Sequence, residues 1–355
     1  MRPELDIREN VSLAQYTTLK IGGPAKYFIT VRNDEELTEA FVFAASEAPD
    51  VLVLGGGSNL LISDEGFDGT VIHIASKGIS FDDLGNYTHV TAAAGENWDG
   101  FVEECVGRGL VGIECLSGIP GNVGGTPVQN VGAYGQEVSQ TILAVRCFDR
   151  TNKKIVELDN ASCGFSYRRS IFNSTERGRY VVLSVTFTLK IGAVPQLVYA
   201  DLKDIFGDAK PSVVLVRKAV LEIRRAKSMV IDASDPNSKS AGSFFKNPEL
   251  THTEFADLEQ KAAAIGLQKV PSFASSEKRK VPAAWLIENA GFHKGYKLGD
   301  AGISTRHALA LINLGNAKAA DIIRLKDAIQ AAVSGKFGVA LTPEPVFAGF
   351  DGGYT

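Results

Sequence analysis

The spacing of apolar positions predicts a strand–helix–strand unit near the start of the chain. Residues Lys26 to Val31 (KYFITV) alternate as a strand does, and Asn33 then precedes apolar residues at helical spacing, which predicts an N-capped helix. VLVLGGGSNLLI, from Val51 to Ile62, predicts a buried strand broken by glycines.

A second region contains longer elements. HVTAAAGENWDGFVEECVGRGL predicts a strand followed by a helix, and RYVVLSVTFTLK predicts a long alternating strand. Between them lies a glycine-dense stretch, IPGNVGGTPVQNVGAYGQE, from Ile119 to Glu137. The polar, turn-rich segment DASDPNSKS, from Asp232 to Ser240, predicts a loop or a domain edge before a third region.

Three helices are predicted in that third region. The first ends at Gly266, and the second has Pro282 in its first turn and Gly291 as its C-terminal cap. HALALINLG then resembles a strand, and the tail LTPEPVFAGF, which has two prolines, predicts an edge strand or an extended segment. The third helix is expected to be capped by Asn316 and stopped by Gly335. One face of this helix is formed by Ile322, Leu325, Ile329 and Val333.

Composition narrows the class of protein. A chain of 355 residues with 45% hydrophobic content exceeds one typical domain, so two or three domains are expected. A net charge of −4 disfavours a nucleic-acid surface, and we interpret the densest basic run, Arg217 to Lys227, as a solvated helix face. No apolar segment suits a signal peptide or a membrane span, which predicts a cytoplasmic protein. Four reduced, mostly buried thiols without metal are expected at Cys105, Cys115, Cys147 and Cys163.

Two glycine loops are candidates for a cofactor site. The first lacks the third glycine of a dinucleotide fingerprint, because Leu60 stands there, and a tight turn between strands is the alternative. Two such loops after apolar segments favour the walls of a site for a phosphate-bearing cofactor, either a flavin or a nicotinamide dinucleotide. The candidate cofactor-binding residues are Gly55, Gly56, Gly57, Ser58, Asn59, Gly121, Gly124, Gly125, Thr126, Gln129, Asn130 and Gly132.

Polar residues within apolar surroundings are candidates for catalysis. Arg168 in FSYRRSIF suits a pocket that binds a carboxylate, although an arginine packed over aromatics in an ion pair is the alternative. Glu344 is held between prolines, which predicts a buried carboxyl with a raised pKa; the alternative is an exposed glutamate in a turn. Ser243 in AGSFFKNP lies between a glycine and two phenylalanines. A capping or packing role is favoured for His307.

TLKIGGPAKYF, GGGSNLLISD, IPGNVGGTPVQNVGAYGQE, FSYRRSIF, AGSFFKNP and LTPEPVF together resemble the UDP-N-acetylenolpyruvoylglucosamine reductase (MurB) family, in order and over nearly the whole chain. The resemblance implies an α+β fold, with a two-lobed flavin-binding part of the vanillyl-alcohol-oxidase (PCMH) type followed by an α+β substrate-binding domain. The expected segments are FAD-binding subdomains at residues 1–75 and 76–228, a substrate-binding domain at 229–340, and a C-terminal segment at 341–355 that returns to the active site.

The resemblance also implies a reaction in peptidoglycan precursor synthesis. NADPH reduces non-covalent FAD, the flavin N5 gives a hydride to C3 of UDP-N-acetylglucosamine enolpyruvate, and Ser243 gives a proton to C2. Arg168 and Glu344 would stabilise the enolate. A cytoplasmic monomer is expected, without nucleic acid, membrane or metal. The implied substrate-binding residues are Tyr199, Lys227, Asn247, Tyr134 and, at a position where some relatives carry glutamine, His307.

Two other classes of function stay open at this point. An oxidase of the same cofactor fold would pass electrons from the flavin to oxygen, and a flavin or nucleotide carrier would have no catalysis. In an oxidase the GSFFKNP motif, Lys227 and Tyr199 would have no purpose, and in a carrier Ser243, Arg168 and Glu344 need not converge.

Overall fold

A computed structural model describes residues 4–275 and 277–350, which form a mixture of helices and sheets. The α-helices of these residues are α1 (Asp34–Glu47), α2 (Trp98–Gly107), α3 (Ala200–Phe206), α4 (Val213–Ala226), α5 (His252–Ala264), α6 (Ala283–Asn289) and α7 (Ala319–Phe337). The strands are β1 (Asp6–Ser12), β2 (Pro24–Val31), β3 (Val51–Leu54), β4 (Leu60–Ile62), β5 (Phe67–Ile74), β6 (Ile79–Leu84), β7 (Tyr87–Ala93), β8 (Leu110–Val111), β9 (Gly132–Ala133), β10 (Gln136–Glu137), β11 (Ile142–Asp149), β12 (Lys154–Asp159), β13 (Tyr180–Ile191), β14 (Glu249–Leu250), β15 (Phe273–Ser275), β16 (Lys278–Lys280), β17 (Lys297–Leu298), β18 (Ala301–Ile303), β19 (Leu311–Asn313) and β20 (Val346–Ala348).

These residues divide into two compact units that are not continuous in sequence. The first unit contains the N-terminal segment up to Val11, Ala25–Gly57 and Asp68–Val230. The second contains Ser12–Pro24, Ser58–Phe67 and the chain from Ile231 onward. The functional segments expected from the sequence, with boundaries at 75, 228 and 340, stay predictions.

The described residues of the first unit form two large sheets and the two-stranded β9–β10 hairpin. A four-stranded sheet has the order β1-β2-β5-β3, and a larger sheet has the path β12-β11-β13-β7-β6, with β8 also paired to β13. The predicted early strand is β2, Asn33 caps α1 through a hydrogen bond from the Glu36 N–H, and the long predicted strand is β13, so these predictions are confirmed. The core of the unit includes mutually packed rings of Trp98, Phe101 and Phe187, with centroids 5.1 to 5.8 Å apart.

Helix α4 corrects the interpretation of the basic run. Arg217 and Arg224 are buried rather than solvated, because α4 packs against α2 and turns both side chains inward. The guanidinium of Arg217 binds both carboxylate oxygens of Asp99, at 2.5 and 3.1 Å. Arg224 donates to the carbonyl oxygen of Met229 at 2.6 Å. Amphipathic spacing alone does not reveal such inward-facing arginines.

The second unit contains α5, α6 and α7, two three-stranded sheets and the parallel pair of β4 and β20. The tail LTPEPVFAGF is predicted to be an edge strand or an extended segment, and its residues Val346–Ala348 form a strand. Helix α5 begins after the capping residue Thr251, and Gly266 follows its end with a positive φ, which confirms that prediction. Pro282 occupies the N-cap position of α6 rather than its first turn, and the side-chain oxygen of Asn247 accepts from the Ala283 N–H instead.

Both predicted ends of α7 are wrong. The helix begins at Ala319, and its first N–H groups donate to Asp64, which lies 255 positions earlier than Ala319. Asn316 is exposed and precedes the helix. The helix continues past Gly335 to Phe337, whose buried ring extends the apolar face, and Gly338 ends it in the left-handed conformation. The predicted apolar face is confirmed, since each of its members is buried: Ile322, Leu325, Ile329 and Val333.

The four cysteines are unpaired and buried, as predicted. Burial raises the pKa of the Cys105 and Cys115 thiols to about 12, so these groups stay protonated at neutral pH. Within residues 4–275 and 277–350, no helix has both the length and the apolar content needed to cross a bilayer.

Candidate active site

The glycines of the two loops lie side by side in the first unit, whereas Ser58 and Asn59, which follow the first three glycines, belong to the second unit. A Cβ on Gly56 would stand 2.7 Å from Gly121 Cα and 2.9 Å from Asn122 Oδ1, so a residue with any side chain would push the loops apart. The second loop is fixed to the end of β7, because the Gly124 N–H donates to the carbonyl oxygen of Ala94 at 2.9 Å. This contact brings together two segments that the sequence analysis treats as walls of one site.

Part of this glycine surface is open. Among the described residues outside its own turn of chain, no heavy atom lies within 4 Å of the position that a Cβ would take on Gly125, and beyond the chain neighbours of Gly55 only Asn122 Cβ, at 3.9 Å, approaches the corresponding position there. Open glycine backbone allows a phosphate to come close to main-chain N–H groups. The loops therefore fit the predicted FAD, and the residues that would hold it there are the glycines of the two loops.

Two predicted cofactor residues of the second loop have their side chains occupied within the protein. Thr126 is buried, and its hydroxyl donates to the Val123 carbonyl oxygen at 2.8 Å. Asn130 accepts from the Ser139 N–H at 3.1 Å and donates to Glu137 at 2.8 Å. These side chains shape the loop, and their contact with a cofactor stays a prediction. Gln129 is half-buried beside them.

Arg168 lies in a tight turn. Ser166 and Arg169 exchange both of their backbone hydrogen bonds, at 2.9 and 3.1 Å, so that Tyr167 and Arg168 occupy the centre of the turn. Arg168 has a φ of +54°, a conformation that type II turns usually give to glycine. Its guanidinium carbon lies 5.6 Å from the centroid of the Tyr167 ring, so the aromatic contact of the alternative interpretation is present. Carboxylate binding by Arg168 stays a prediction.

Tyr134 lies at the tip of a two-residue hairpin formed by β9 and β10. Tyr134 has a φ of +49° and Gly135 one of +85°, the pattern of a type I′ turn. A Cβ on Gly135 would stand 2.1 Å from Val198 Cγ2, so the position requires glycine both for its conformation and for space. The turn therefore presents the Tyr134 side chain at a defined place beside the segment that carries Tyr199.

Three predicted substrate-binding residues meet around this ring. The Tyr134 and Tyr199 rings pack edge to face at 5.3 Å, and the Lys227 ammonium lies 5.9 Å from the Tyr134 centroid. Lys227 also forms an ion pair with Asp201 at 2.9 Å. Burial acts to lower the pKa of Lys227, but the hydrogen bond with Asp201 and the neighbouring hydroxyls outweigh it and raise the pKa. Burial raises the pKa of Tyr134, so both groups are fully protonated at neutral pH.

Ser243 and Glu344 belong to adjacent extended segments of the second unit. The Glu344 N–H donates to the Phe244 carbonyl oxygen at 2.8 Å, and Phe245 forms a β-bridge with Pro343. Phe244 and Phe245 are fully buried, with ring centroids 5.4 Å apart, and Ser243 before them is half-buried. The aromatic pair thus anchors the segment while the serine stays at the edge of the core.

Other residues brace these two segments. Asn59, expected at the cofactor, donates from its amide to the Glu344 carbonyl oxygen at 3.3 Å, and its own carbonyl oxygen accepts from the Val346 N–H. Thr18, which the sequence analysis does not select, donates to the Ser240 carbonyl oxygen at 2.6 Å, three residues before Ser243.

His307 has the predicted capping role. Its Nδ1 accepts from the Leu309 N–H at 3.1 Å, and the Leu309 carbonyl oxygen in turn accepts from the Phe244 N–H at 2.8 Å. The histidine therefore stabilises the turn that pairs with the segment of Ser243. Contacts of His307 and Asn247 with a substrate stay predictions.

Sequence reasoning misses a buried polar pair in the first unit. Glu114 is fully buried and accepts from the Gly112 N–H at 2.7 Å and from Gln136 Nε2 at 2.8 Å. Gln136 Oε1 accepts from the Cys115 N–H at 2.8 Å. The signal in the sequence is a single carboxylate inside the apolar run VGIECL.

The structure groups the predicted residues by unit. Arg168, Tyr134, Tyr199 and Lys227 are in the first unit, and Ser243, Asn247, His307 and Glu344 are in the second. Within the described parts of the chain, no group of three or more acidic, histidine or cysteine side chains could hold a metal. The convergence of Ser243, Arg168 and Glu344 around one carbon stays a prediction.

Comparison with known proteins supplies the family. A model described as an FAD binding domain matches residues 25–159, and one described as the C-terminal domain of UDP-N-acetylenolpyruvoylglucosamine reductase matches residues 235–348. The reductase of that name from Thermobifida fusca (strain YX) is 47% identical over 348 residues, which cover 96% of this chain and 97% of the relative. The one from Streptomyces coelicolor (strain ATCC BAA-471 / A3(2) / M145) is 47% identical over 345 residues, which cover 95% and 89%.

A solved structure agrees with these matches. The crystal structure of UDP-N-acetylenolpyruvylglucosamine reductase from Thermus caldophilus superimposes with a TM-score of 0.67 at 28% identity, over 97% of this chain and all of that one. The expected α+β flavin-binding fold class and the expected class of FAD-dependent oxidoreductase are confirmed. The chain belongs to the UDP-N-acetylenolpyruvoylglucosamine reductase family.

Proposed function

We propose that this protein catalyses the NADPH-dependent reduction of UDP-N-acetylglucosamine enolpyruvate to UDP-N-acetylmuramate in peptidoglycan precursor synthesis, as a cytoplasmic monomer. The observation that carries the proposal is the backbone pairing of the Ser243 and Glu344 segments in a chain of this family. FAD, when bound, supplies the transfer of reducing equivalents from NADPH to the vinyl carbon C3. Neither glycine loop contains a histidine or a cysteine, which supports non-covalent binding of the flavin.

Ser243 is the proposed proton donor to C2 of the substrate. A serine hydroxyl is a weak acid, but the carbanion that it meets is strongly basic, so accurate placement matters more than the pKa of the hydroxyl. The buried phenylalanines after Ser243 and the hydrogen bond between Phe244 and Glu344 support such placement, because they fix the backbone on the C-terminal side of the hydroxyl.

Arg168 and Glu344 are the proposed stabilisers of the enolate. A guanidinium matches the substrate carboxylate in a planar, two-point contact, and its positive charge favours the negative charge that develops beside it. Glu344 would hydrogen-bond to the same intermediate. The tight turn around Arg168 supports this role, since its backbone hydrogen bonds restrict the position of the side chain before substrate arrives.

The uridine diphosphate is the proposed ligand of Lys227, Tyr199, Tyr134 and Asn247. A diphosphate needs a cation and hydroxyl or amide donors, which these side chains supply. The ion pair of Lys227 with Asp201 predicts that the lysine exchanges or shares its carboxylate partner when the diphosphate binds.

Anaerobic stopped-flow absorbance tests the proposal with the protein as purified. NADPH should bleach the flavin band, and the enolpyruvyl sugar nucleotide should then restore it. If oxygen restored the flavin band but that substrate did not, the result would contradict the reductase assignment and favour an oxidase. A flavin band that NADPH leaves unchanged would favour a carrier. Release of the yellow chromophore on denaturation should accompany the result, because the cofactor is expected to be non-covalent.

A further inference from the structure

Glu114 is an unusual group for a protein core. Its carboxylate is fully buried, and within the described part of the chain no lysine or arginine forms an ion pair with it. A buried carboxyl group without a cation beside it is unfavourable unless hydrogen bonds compensate, so the contacts that Glu114 makes with Gly112 and Gln136 are needed to offset its burial.

The Cys115 N–H and the Glu114 carboxyl group determine the orientation of Gln136. The Cys115 N–H can only donate, so the carbonyl end of the Gln136 amide must face it, as observed at 2.8 Å. The NH₂ end of that amide then faces the Glu114 carboxyl group, to which it donates at 2.8 Å. Two neutral amides in these positions could adopt several arrangements, whereas this pair permits one.

Gln136 is the first residue after the turn that carries Tyr134. It pairs directly with Ala133, so the two residues flank Tyr134 and Gly135. A non-glycine residue with positive φ, such as Tyr134, persists only where its surroundings hold it in place. The hydrogen bond between Glu114 and Gln136 helps to hold Tyr134 in this conformation, because it fixes the strand residue that follows the turn.

The next residue, Glu137, makes a different connection. Successive side chains of a strand point to opposite faces, so Glu137 points away from the side that Gln136 occupies. Its carboxylate accepts from the Asn130 amide at 2.8 Å, and the same amide nitrogen donates to the Ser166 carbonyl oxygen at 3.1 Å. Ser166 begins the turn that contains Arg168.

We propose that the β9–β10 hairpin is a two-sided positioning element for the two functions of the first unit. On one side, Glu114 and Gln136 set Tyr134 for binding of the nucleotide diphosphate of the substrate. On the other side, Glu137 and Asn130 set the Arg168 turn for the chemical step. The inference rests on the proposed function for the identity of the substrate, and it assigns no contact with substrate to Glu114, Gln136, Glu137 or Asn130.

The first test exchanges the two partners. Glu114→Gln places an amide where two donors point, so one buried N–H loses its acceptor. The double variant Glu114→Gln/Gln136→Glu restores every hydrogen bond with the charge on the other side, because the carboxylate introduced at position 136 can accept from both the amide introduced at position 114 and the Cys115 N–H. Calorimetric titration of the oxidised protein with the enolpyruvyl sugar nucleotide should give a Kd raised about tenfold in the single variant, the effect of one lost buried hydrogen bond, and restored in the double variant.

The second test addresses the other side. Glu137→Leu removes the acceptor of the Asn130 amide, whereas Glu137→Gln keeps an acceptor oxygen there and is the matched control. Glu137→Leu should lower the rate of flavin reoxidation at saturating substrate about tenfold, as expected for a displaced charge-stabilising group, with Kd changed less than about threefold. Glu137→Gln should retain most of the rate.

The outcomes separate this inference from the proposed function. If the unaltered protein does not bind the enolpyruvyl sugar nucleotide, the proposed function fails. If the unaltered protein binds this substrate but Glu114→Gln binds it equally well, the positioning role is overturned. The role is likewise overturned if the folded double variant does not return to the Kd of the unaltered protein. If Glu114→Gln does not fold, the double variant alone decides, and an unfolded double variant also counts against the proposal. If Glu114→Gln and Glu137→Leu each lost substrate affinity and reoxidation rate to the same extent, the hairpin would have been loosened as a whole. That result would overturn the two-sided role.

Discussion

Three non-glycine residues near the candidate site, Asn130, Tyr134 and Arg168, have left-handed backbone conformations. Such conformations are unfavourable for residues with a side chain, and they accumulate at functional sites where the surrounding contacts enforce them. Here the enforcing contacts are of two kinds: backbone hydrogen bonds close the turns around Tyr134 and Arg168, and the Asn130 side chain bonds to Glu137, Ser139 and Ser166. Side-chain placement in the first unit thus depends both on turn geometry and on polar side chains that connect separate segments.

Replacement of Ser243 by alanine should separate the two half-reactions. Flavin reduction by NADPH should stay near normal, while reoxidation by the enolpyruvyl substrate should slow about 10²- to 10⁴-fold, because only the second step needs the proton. Ser243→Cys should lose less, since a thiol can also donate. Stopped-flow absorbance measures both steps, and equal damage to both would instead indicate disruption around Phe244 and Phe245.

Replacement of Arg168 by alanine should cost about 3 kcal/mol of transition-state stabilisation, as removal of a charge-assisted donor commonly does. The ratio of kcat/KM between the unaltered protein and the variant measures this energy. Arg169→Ala is the matched control, because Arg169 is the exposed neighbour in the same turn. A similar loss in both variants would show that the turn, rather than the Arg168 guanidinium, had been disturbed.

At the scale of elements, helix ends depend on residues far away in sequence. Helix α7 has no side-chain cap from its own N-cap residue, Lys318, and Asp64 accepts its first N–H groups instead. The Asp64 carboxylate also places a negative charge at the positive end of the helix dipole. A local pattern search selects Asn316 because it has no information about Asp64.

Replacement of Asp64 by alanine should therefore reduce the free energy of unfolding by about 1 to 2 kcal/mol, the usual range for loss of an N-cap. Urea unfolding followed by circular dichroism measures the change. Asn316→Ala should leave the midpoint almost unchanged, because Asn316 is exposed and precedes the helix. If Asn316→Ala instead lost more free energy of unfolding than Asp64→Ala, Asn316 would be the cap, as predicted from the sequence.

At the scale of the whole molecule, the sequence predicts elements better than their partners. Periodicity correctly selects β2, α1, β13 and the buried face of α7, because burial on one face imprints a repeat on the chain. The long, specific motifs predict the family. Periodicity does not show that Arg217 turns inward to Asp99, nor that Glu114 is buried beneath Gln136, because each depends on a residue elsewhere in the chain.

Stability against acid should depend on Asp149. Hydrogen bonds from Arg179, and further ones from Asn152 and Thr151, hold the pKa of its carboxyl well below the usual range in the folded protein. Because the folded pKa lies below the unfolded one, the stabilisation is fully present above about pH 4 and is lost as the pH falls toward the folded pKa.

The measurement compares the free energy of unfolding of the unaltered protein and Asp149→Asn from pH 7 to pH 3. The gap between them should be constant down to about pH 4 and should narrow below it. Asp68→Asn controls for the loss of a negative charge, since the Asp68 side chain is 90% exposed. A gap that stays constant down to pH 3 would exclude this role for Asp149.

The parallel pairing of β4 with β20 joins Leu60–Ile62 to Val346–Ala348. During synthesis on the ribosome, β4 emerges long before β20, so at ordinary elongation rates β4 waits on the order of tens of seconds for its partner. An apolar strand with unsatisfied backbone groups is open to wrong pairing for that whole interval. Nascent chains arrested before residue 346 should accordingly recruit chaperones at this segment, and completed chains should release them.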